Sequence, residues 1–172
     1  MIVRELDRTT APAAVEAVFA GLSWRSRYLR FHAPTPRLTS AMRTALSNVD
    51  GHDHAAVVAV KNNRPIGIAR LIRTGCGRAD IAVAVVDAWQ RRGVGRRLLT
   101  ALGDLAARLR CTELTGEVLP ENDAMLRLVR RAFPGVRLTR EDDVVHVSYP
   151  IGWATAALTH EDLLRDLQTT YR

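Results

Sequence analysis

A short turn with two glycines lies between an apolar run, "IAVAVV", and a leucine-rich segment, in the stretch "DAWQRRGVGRRLL". Gly93 and Gly95 carry no Cβ, so the backbone N–H groups from about Arg91 to Arg97 can converge on one anion. The N-terminus of the helix that follows adds partial positive charge at the same point. The pattern predicts a phosphate-binding turn or, alternatively, a tight turn with a solvated basic patch made of Arg91, Arg92, Arg96 and Arg97.

Two better-known phosphate-binding motifs do not fit this turn. The dinucleotide-binding pattern G-x-G-x-x-G has Leu98 at its third glycine position, and no acidic residue follows at a suitable distance. The Walker pattern requires Gly-Lys-Ser/Thr, whereas Lys61 is the only lysine of the chain. An anion would therefore bind a different kind of turn, formed by Q-R-R-G-V-G.

The composition is that of one basic domain. The chain has 172 residues, of which 47% are hydrophobic, and this length is enough for one sizeable core. The formal net charge of +7 favours phosphate, nucleic acid or an acidic ligand as a partner. The basic residues are almost all arginine, and a coding preference explains that bias as well as a functional reason does.

The sequence offers little support for metal, disulfide or membrane chemistry. Cys76 and Cys111 lie far apart and outside any CxxC or His/Cys pattern, so we expect a reduced, cytoplasmic protein without structural zinc. The stretch "HDH" at residues 52–54 has no apparent third ligand and is interpreted as a loop. Without a charged leader or an apolar run of membrane-spanning length, we expect no membrane contact.

Hydrophobic periodicity predicts the elements that position the turn. Their order is strand, helices, three strands, helix, strand, helix and two strands, which is a mixed α/β chain. The strand "ADIAVAVV" is apolar on both faces and is expected at the centre of the sheet. A last amphipathic helix is predicted after Pro150, which divides the chain into a domain of residues 1–150 and an extension of residues 151–172. The helix after the turn has core-facing leucines at Leu98, Leu99, Leu102, Leu105 and Leu109.

With these elements in place, "WQRRGVGRRLL" resembles the pyrophosphate-binding signature Q/R-x-x-G-x-G/A of the GNAT acetyltransferase superfamily. The stretches "SRYLRF", "VAVVDAWQRRGVG" and "GEVLPENDAMLRLVRRAF" resemble its bacterial protein-lysine acetyltransferase branch, within residues 2–149. The resemblance implies the GNAT fold, of the α/β (α+β) class. In that fold a central, mixed but mostly antiparallel sheet is splayed between its fourth and fifth strands and flanked by helices.

The resemblance also implies acetyl-CoA as co-substrate, without a metal. The pantetheine arm would lie against the backbone near Val83 and Val85. Asn122 matches a family asparagine that opens a helix and bonds near the pantetheine end, although ordinary helix capping accounts for an asparagine there equally well. The pyrophosphate would lie on the amides of one short segment, namely Arg91, Arg92, Gly93, Val94, Gly95 and Arg96.

Two carboxylates are candidates for accepting the proton of an amine. Asp80, at the start of the central strand, stands where the related lysine acetyltransferases carry a glutamate; its shorter side chain favours a water relay. The alternative for Asp80 is a strand-edge charge that only pairs with Arg78 or another arginine. Glu117, inside the next strand, is the second candidate, and its alternative is an outward-facing surface residue. The oxyanion donor would be a backbone N–H near Val83 or Val85.

The function implied is N-acetyl transfer from acetyl-CoA to a primary amine, first of all a protein lysine, by direct attack in a ternary complex. Val129 stands where many family members carry a tyrosine as acid for the departing thiolate, so no acid is named. A small-molecule amine N-acetyltransferase and a non-catalytic acyl-CoA-binding regulatory module are the alternatives. The dispersed arginines, with few aromatics between them, argue against nucleic-acid binding. A homodimer is an open alternative to a monomer.

Overall fold

A computed structural model describes residues 1–151, and the helix predicted after Pro150 lies outside the described residues. The elements follow in the predicted order, with one added 3-10 turn, Asp87–Trp89, ahead of the two glycines. The helices and strands are β1 (Ile2–Glu5), α1 (Ala11–Ala20), α2 (Trp24–Phe31), α3 (Ser40–Ser47), β2 (His54–Lys61), β3 (Arg64–Gly75), β4 (Arg78–Val85), α4 (Val94–Arg108), β5 (Glu113–Val118), α5 (Asp123–Ala132), β6 (Arg137–Glu141) and β7 (Val144–Pro150).

The seven strands form one sheet in the order β1-β2-β3-β4-β5-β7-β6. All neighbours are antiparallel except β4 and β5, which run parallel. β4 has three strands on each side, so its predicted central position is confirmed. β2 and β3 form a hairpin whose turn residues, Asn62 and Asn63, have φ of 49° and 58°. Asparagine tolerates this left-handed conformation better than most residues, which suits it to a two-residue hairpin turn.

The parallel pair β4 and β5 separates after a short ladder. Residues 78–80 of β4 pair with residues 113–115 of β5, and both strands continue beyond these residues without pairing to each other. At the point of divergence, an ideal Cβ on Gly116 would lie 3.2 Å from the carbonyl oxygen of Ile81. The absence of a side chain therefore lets the strands stay close until they part. The opening predicted between the fourth and fifth strands is confirmed.

Helices cover both faces of the sheet, which we call the α4 face and the α1 face after the helix that packs on each. Side chains of a strand alternate between the faces, so Ile81 of β4 belongs to the α4-face core and Ala84 packs against the α1-face core. Leu109, predicted to face the core, follows the last helical residue and is only half-buried. The other leucines of α4 are buried at the predicted spacing, namely Leu98, Leu99, Leu102 and Leu105.

Some features are not found among residues 1–151. None of their helices is long and apolar enough to cross a membrane. Their His, Cys, Asp and Glu side chains nowhere gather in a group of three or more that could hold a metal ion. Cys76 is an exposed free thiol in the turn before β4, and Cys111 is a buried free thiol before β5.

Candidate functional site

A cavity of about 480 Å³ fills the opening between β4 and β5. Its walls are residues 81–85 of β4, residues 116–118 of β5, the glycine turn, and parts of α2 and α5. α5 packs against α4, whereas Phe31 of α2 packs against the α1-face core. The cavity therefore runs between the parted strands from one face of the sheet to the other, and its volume is in the range of small-ligand sites.

The glycine turn ends in a helix N-terminus that no side chain caps. Gly93 precedes α4 with φ of 77°, a conformation that glycine adopts readily. The Arg97 N–H donates to the Gly93 carbonyl, with 3.2 Å between N and O, as the first backbone bond of the helix. The N–H groups of Val94, Gly95 and Arg96 precede that bond and have no carbonyl partner within the helix. These three donors, which we call the amide cradle, lie at the positive end of the helix dipole, where phosphate binds well.

The two glycines of the turn serve different purposes. An ideal Cβ on Gly93 would have nothing within 4 Å, and this residue lines the cavity, so the position leaves room for a ligand. An ideal Cβ on Gly95 would lie only 2.8 Å from Cδ2 of Leu128. Gly95 lines the cavity as well, so it has a packing role in addition to the one expected for both glycines. Its missing side chain lets α5 pack closely on α4, while its N–H remains in the cradle.

Positive charge surrounds the amide cradle. Two residues of the predicted phosphate segment do not line the cavity with their side chains. The Arg92 guanidinium lies over the Trp89 ring, 5.1 Å from the ring centroid. Val94 is 2% exposed in the core, so only its N–H can reach a ligand. The arginines that line the cavity around the cradle come from the turn, from the start of α4 and from α5, namely Arg91, Arg96, Arg127 and Arg131.

The edge of β4 that faces β5 presents backbone groups to the cavity. The Val86 N–H, just past the strand, donates to the Ile66 carbonyl of β3 over 3.0 Å. Successive residues of a strand point their N–H and C=O groups in opposite directions. Val83 and Val85 therefore turn theirs away from β3 and toward the opening. Both residues line the cavity, which is where the family resemblance implies that they lie.

Gln90 belongs to the site, although a glutamine is not recognisable as functional from its residue type alone. Its Nε2 donates to the Val85 carbonyl at 3.1 Å, to the Asp87 carboxylate at 3.0 Å and to the Ser26 hydroxyl at 3.2 Å. It thereby ties the glycine turn to the end of β4 and to α2. The signal in the sequence is its place at the start of Q-R-R-G-V-G.

Asn122 lines the cavity at the start of α5. Its Oδ1 accepts a hydrogen bond from the Met125 N–H at 3.1 Å, so this oxygen performs the helix capping considered as an alternative. Capping holds the side chain at the cavity wall. Helix capping by Asn122 is therefore compatible with the hydrogen bond near the pantetheine end that the resemblance implies.

Asp80 and Glu117 lie on the α1 face where the strands part. Asp80 is the last residue of β4 that pairs with β5, and its partner is Thr115, two residues before Glu117. Because strand side chains alternate, Glu117 shares the face of Asp80. Burial and, next, the negative charge of Glu117 raise the pKa of Asp80, and the positive charge of Arg30 opposes the rise. A carboxylate with such a shift is a candidate proton acceptor.

The surroundings of Asp80 and Glu117 can be compared with the non-catalytic roles considered for them, which are an ion pair for Asp80 and an outward-facing position for Glu117. Arg78 forms an ion pair with Glu113, at 3.0 Å, rather than with Asp80. Asp80 stands beside the cavity and does not line it, whereas Glu117 does. The Glu117 side chain is 57% exposed, with Oε1 3.8 Å from His146 Nδ1. The outward-facing interpretation of Glu117 thus agrees with its exposure, and its place on the wall keeps it a candidate.

Two further charged residues belong to this region and were not named as site residues from the sequence. Arg30 of α2 lines the cavity. Arg70 of β3 is 6% exposed and lies on the α1 face, opposite Ala82 of β4. The sequence contains a signal for Arg70, because it is the charged residue inside the otherwise apolar stretch "IGIARLI".

Known proteins resemble this chain in sequence and in structure. The model of the acetyltransferase (GNAT) family matches residues 20–133. The GNAT domain of Streptomyces lividans PAT has 28% sequence identity and a TM-score of 0.79, over 87% of this chain and 89% of its own.

Two other solved structures extend the comparison. A variant of a cAMP-binding acyltransferase from Mycobacterium smegmatis is 25% identical over 96% of this chain, with a TM-score of 0.61, and this chain covers 49% of it. A GNAT superfamily phosphinothricin acetyltransferase from Sinorhizobium meliloti, in complex with acetyl-CoA, has a TM-score of 0.68 over 88% of each chain. Its identity of 15% means that this likeness shows the fold alone.

The close approach of Gly95 and Leu128 predicts a steric coupling between α4 and α5. Gly95→Ala gains about 1 kcal/mol of helix propensity, and moving the end of the Leu128 side chain away from the new Cβ offsets part of that gain. We expect Gly95→Ala to gain more stability when Leu128→Ala frees the space than it does in the wild-type background. Denaturant unfolding of wild type, both single variants and the double variant measures the coupling.

Gly103→Ala is the matched control for this cycle. Gly103 lies in the same helix, and an ideal Cβ there meets Cε1 of Phe133 at 3.4 Å, which is ordinary contact. Its propensity gain should therefore appear undiminished. Additive effects of Gly95→Ala and Leu128→Ala would contradict the contact.

Proposed function

Because this chain belongs to the acetyltransferase (GNAT) family and is an acyl-CoA-dependent N-acetyltransferase, we propose that it acetylates the ε-amine of a protein lysine. The observation that carries the proposal is the cavity through the sheet, which joins the amide cradle to Glu117 on the α1 face and passes beside Asp80. Streptomyces lividans PAT is a protein acetyltransferase, and the likeness to its GNAT domain supports a protein acceptor. A small amine in place of the lysine would use the same cofactor half of the site.

The residues along the cavity suit acetyl-CoA in the expected order. The diphosphate would be held by the N–H groups of Val94, Gly95 and Arg96, with cavity-lining arginines around it. The pantetheine amides would bond to the backbone of Val83 and Val85, which has no strand partner on that side. Acetyl-CoA supplies an activated thioester, and this path directs the thioester toward the region of Asp80.

The reaction needs three proton and charge movements, and this chain offers groups for two of them. The amine nitrogen forms a bond to the thioester carbon as its proton passes, through one water, to the carboxylate of Asp80. A backbone N–H of Val83 or Val85 would stabilise the oxyanion before the C–S bond breaks. Water supplies the proton to the departing thiolate, since Val129 is fully buried and has no proton to give.

Direct attack in a ternary complex is the mechanism we propose. A covalent acetyl-enzyme needs a nucleophile beside the thioester. Neither Cys76 nor Cys111 lines the cavity, and burial raises the pKa of the Cys111 thiol, which lowers its reactivity. The two free thiols also support the proposal of a cytoplasmic location.

Gly93→Asp tests whether the amide cradle holds the diphosphate. Aspartate and asparagine have similar size and tolerate positive φ, so Gly93→Asn is the matched control. We expect calorimetry to show weaker CoA binding for Gly93→Asp than for Gly93→Asn, by roughly tenfold or more, because like charges a few ångströms apart repel strongly near a protein surface. Pantetheine, which has no diphosphate, should not distinguish the two variants. Equal CoA affinities would refute the assignment.

Asp80→Asn tests the proton acceptor. The change keeps the shape of the side chain and removes its basicity, so we expect kcat to fall about 10²–10⁴-fold with little change in acetyl-CoA affinity. Thiol release in steady state and calorimetry with acetyl-CoA measure the two quantities. Glu117→Gln should lower kcat far less. If Asp80→Asn kept wild-type kcat, Asp80 would not be the base.

The charges around Asp80 predict the pH dependence of turnover. Asp80 must be deprotonated to accept a proton, so activity is lost as pH falls through its pKa. Glu117→Gln removes a negative charge that raises this pKa, so the acid limb of kcat should move to lower pH. Arg30→Gln removes the opposing positive charge and should move the limb to higher pH.

The measurement is kcat against pH with one acceptor throughout, so that the acceptor's own titration is common to all variants. Glu121→Gln removes an exposed negative charge that does not contribute to the shift of Asp80, and it serves as control. If kcat fell at the same acidic pH in wild type and in Glu117→Gln, Asp80 would not be the titrating group.

A further inference from the structure

Arg30 of α2 and Arg70 of β3 form a cationic pair on the α1 face, which we call the arginine pair. The Arg70 guanidinium is bonded to two uncharged groups, the Ala45 carbonyl at 3.3 Å and Nε2 of His54. Arg30 lies across the Phe31 ring, 5.0 Å from its centroid. Within residues 1–151, neither arginine forms an ion pair with a carboxylate.

Two neighbouring cations are held here at an electrostatic cost. Burial lowers the pKa of both arginines, for Arg70 to about 10, and the charge of Arg30 contributes to the lowering at Arg70. Asp80 offsets part of the cost at Arg30 without reaching ion-pair distance. Buried charges are normally paired, because an unpaired one loses its hydration without compensation. An anion bound between these arginines would relieve both the desolvation and the repulsion.

The arginine pair lies beside the cavity, on the far side of the sheet from the amide cradle. Arg30 lines the main cavity and also a second, apolar cavity of about 40 Å³, whose wall includes Arg70. The two cavities share three further wall residues, Leu22, Ala82 and Ala84. The small cavity is large enough for one compact group and no more. The phosphates of CoA, on the α4 face, would be out of its reach.

Opposite charges therefore flank the place where the acceptor amine must enter. Asp80 and Glu117 attract a protonated amine, and the arginine pair, on the same face, attracts an anion. A guanidinium binds a carboxylate through two parallel hydrogen bonds, which fixes both position and orientation. We propose that the acceptor presents a carboxylate close to its reactive amine, and that Arg30 and Arg70 bind this carboxylate. The inference rests on the proposed function, because it specifies the acceptor of that reaction.

A carboxylate beside an amine has two sources, and the experiment separates them. One is an acidic side chain next to the lysine of a protein, and the other is the carboxylate of a free amino acid. The probes are two matched pairs: a lysine peptide with glutamate beside the lysine against the same peptide with glutamine, and 6-aminohexanoate against 6-aminohexanamide. Each pair differs in one negative charge.

In at least one of the two pairs, wild type should acetylate the acceptor with the carboxylate at a kcat/KM about tenfold or more above that of the acceptor with the amide. Hydrogen bonds to a charged group contribute free energy of this size. Arg30→Gln should lower kcat/KM for the acid much more than for the neutral acceptor, and Arg30→Lys should restore part of the difference. Arg25→Gln, an exposed arginine of the same helix, should leave the preference in place. A preference confined to the peptides indicates a protein lysine, and one confined to aminohexanoate indicates a small acceptor.

The same acceptors separate failure of this inference from failure of the proposed function. If wild type acetylates acid and neutral acceptors equally well, the arginine pair does not bind a carboxylate, although the chain is still an acetyltransferase. If wild type acetylates neither pair, binding of each acceptor to the CoA-loaded protein is measured by calorimetry. Binding of the acid alone, lost in Arg30→Gln, would support the arginine pair and count against lysine transfer. Absence of binding would overturn the inference.

Discussion

Three residues of parallel pairing between β4 and β5 are the constraint on which the site depends. Buried backbone N–H and C=O groups must be bonded, so a sheet rarely opens in its middle. The opening is tolerated here because each half of the sheet has a complete ladder of its own: β4 pairs with β3 along its length, and β5 with β7. The inner edges of β4 and β5 lack a partner strand beyond their short ladder, and Val83 and Val85 lie on the β4 edge. Those edges then become available to a ligand.

An opening through a sheet exposes both of its faces, and their chemistry differs. On the α4 face the wall is the amide cradle with its arginines, which suits diphosphate. On the α1 face Glu117 and Arg30 line the cavity, and Asp80 and Arg70 lie beside it, which suits a group with both signs of charge. One substrate can therefore approach from each face, and the two meet where the strands part. This geometry favours a ternary complex over transfer through the protein.

Packing residues far from the chemistry hold the binding groups in place. Gly95 lets Leu128 rest on α4, and α5 then carries its arginines and Asn122 to the cavity wall. Val94 is buried in the core directly after Gly93, so the amide cradle belongs to a rigid helix. Preorganised donors of this kind bind an anion without first having to be ordered.

Short-range information in the sequence is enough for the element order, the glycine turn and the central place of β4, because periodicity and turn chemistry act over a few residues. The family resemblance adds the splayed sheet and the backbone positions that face the opening. Register and packing alone decided that Leu128 fills the space at Gly95, that Glu117 acts on Asp80, and that Arg30 meets Arg70. Those partners lie tens of residues apart in the sequence, and the charge and steric forces between them arise only once the chain has folded and brought them close together.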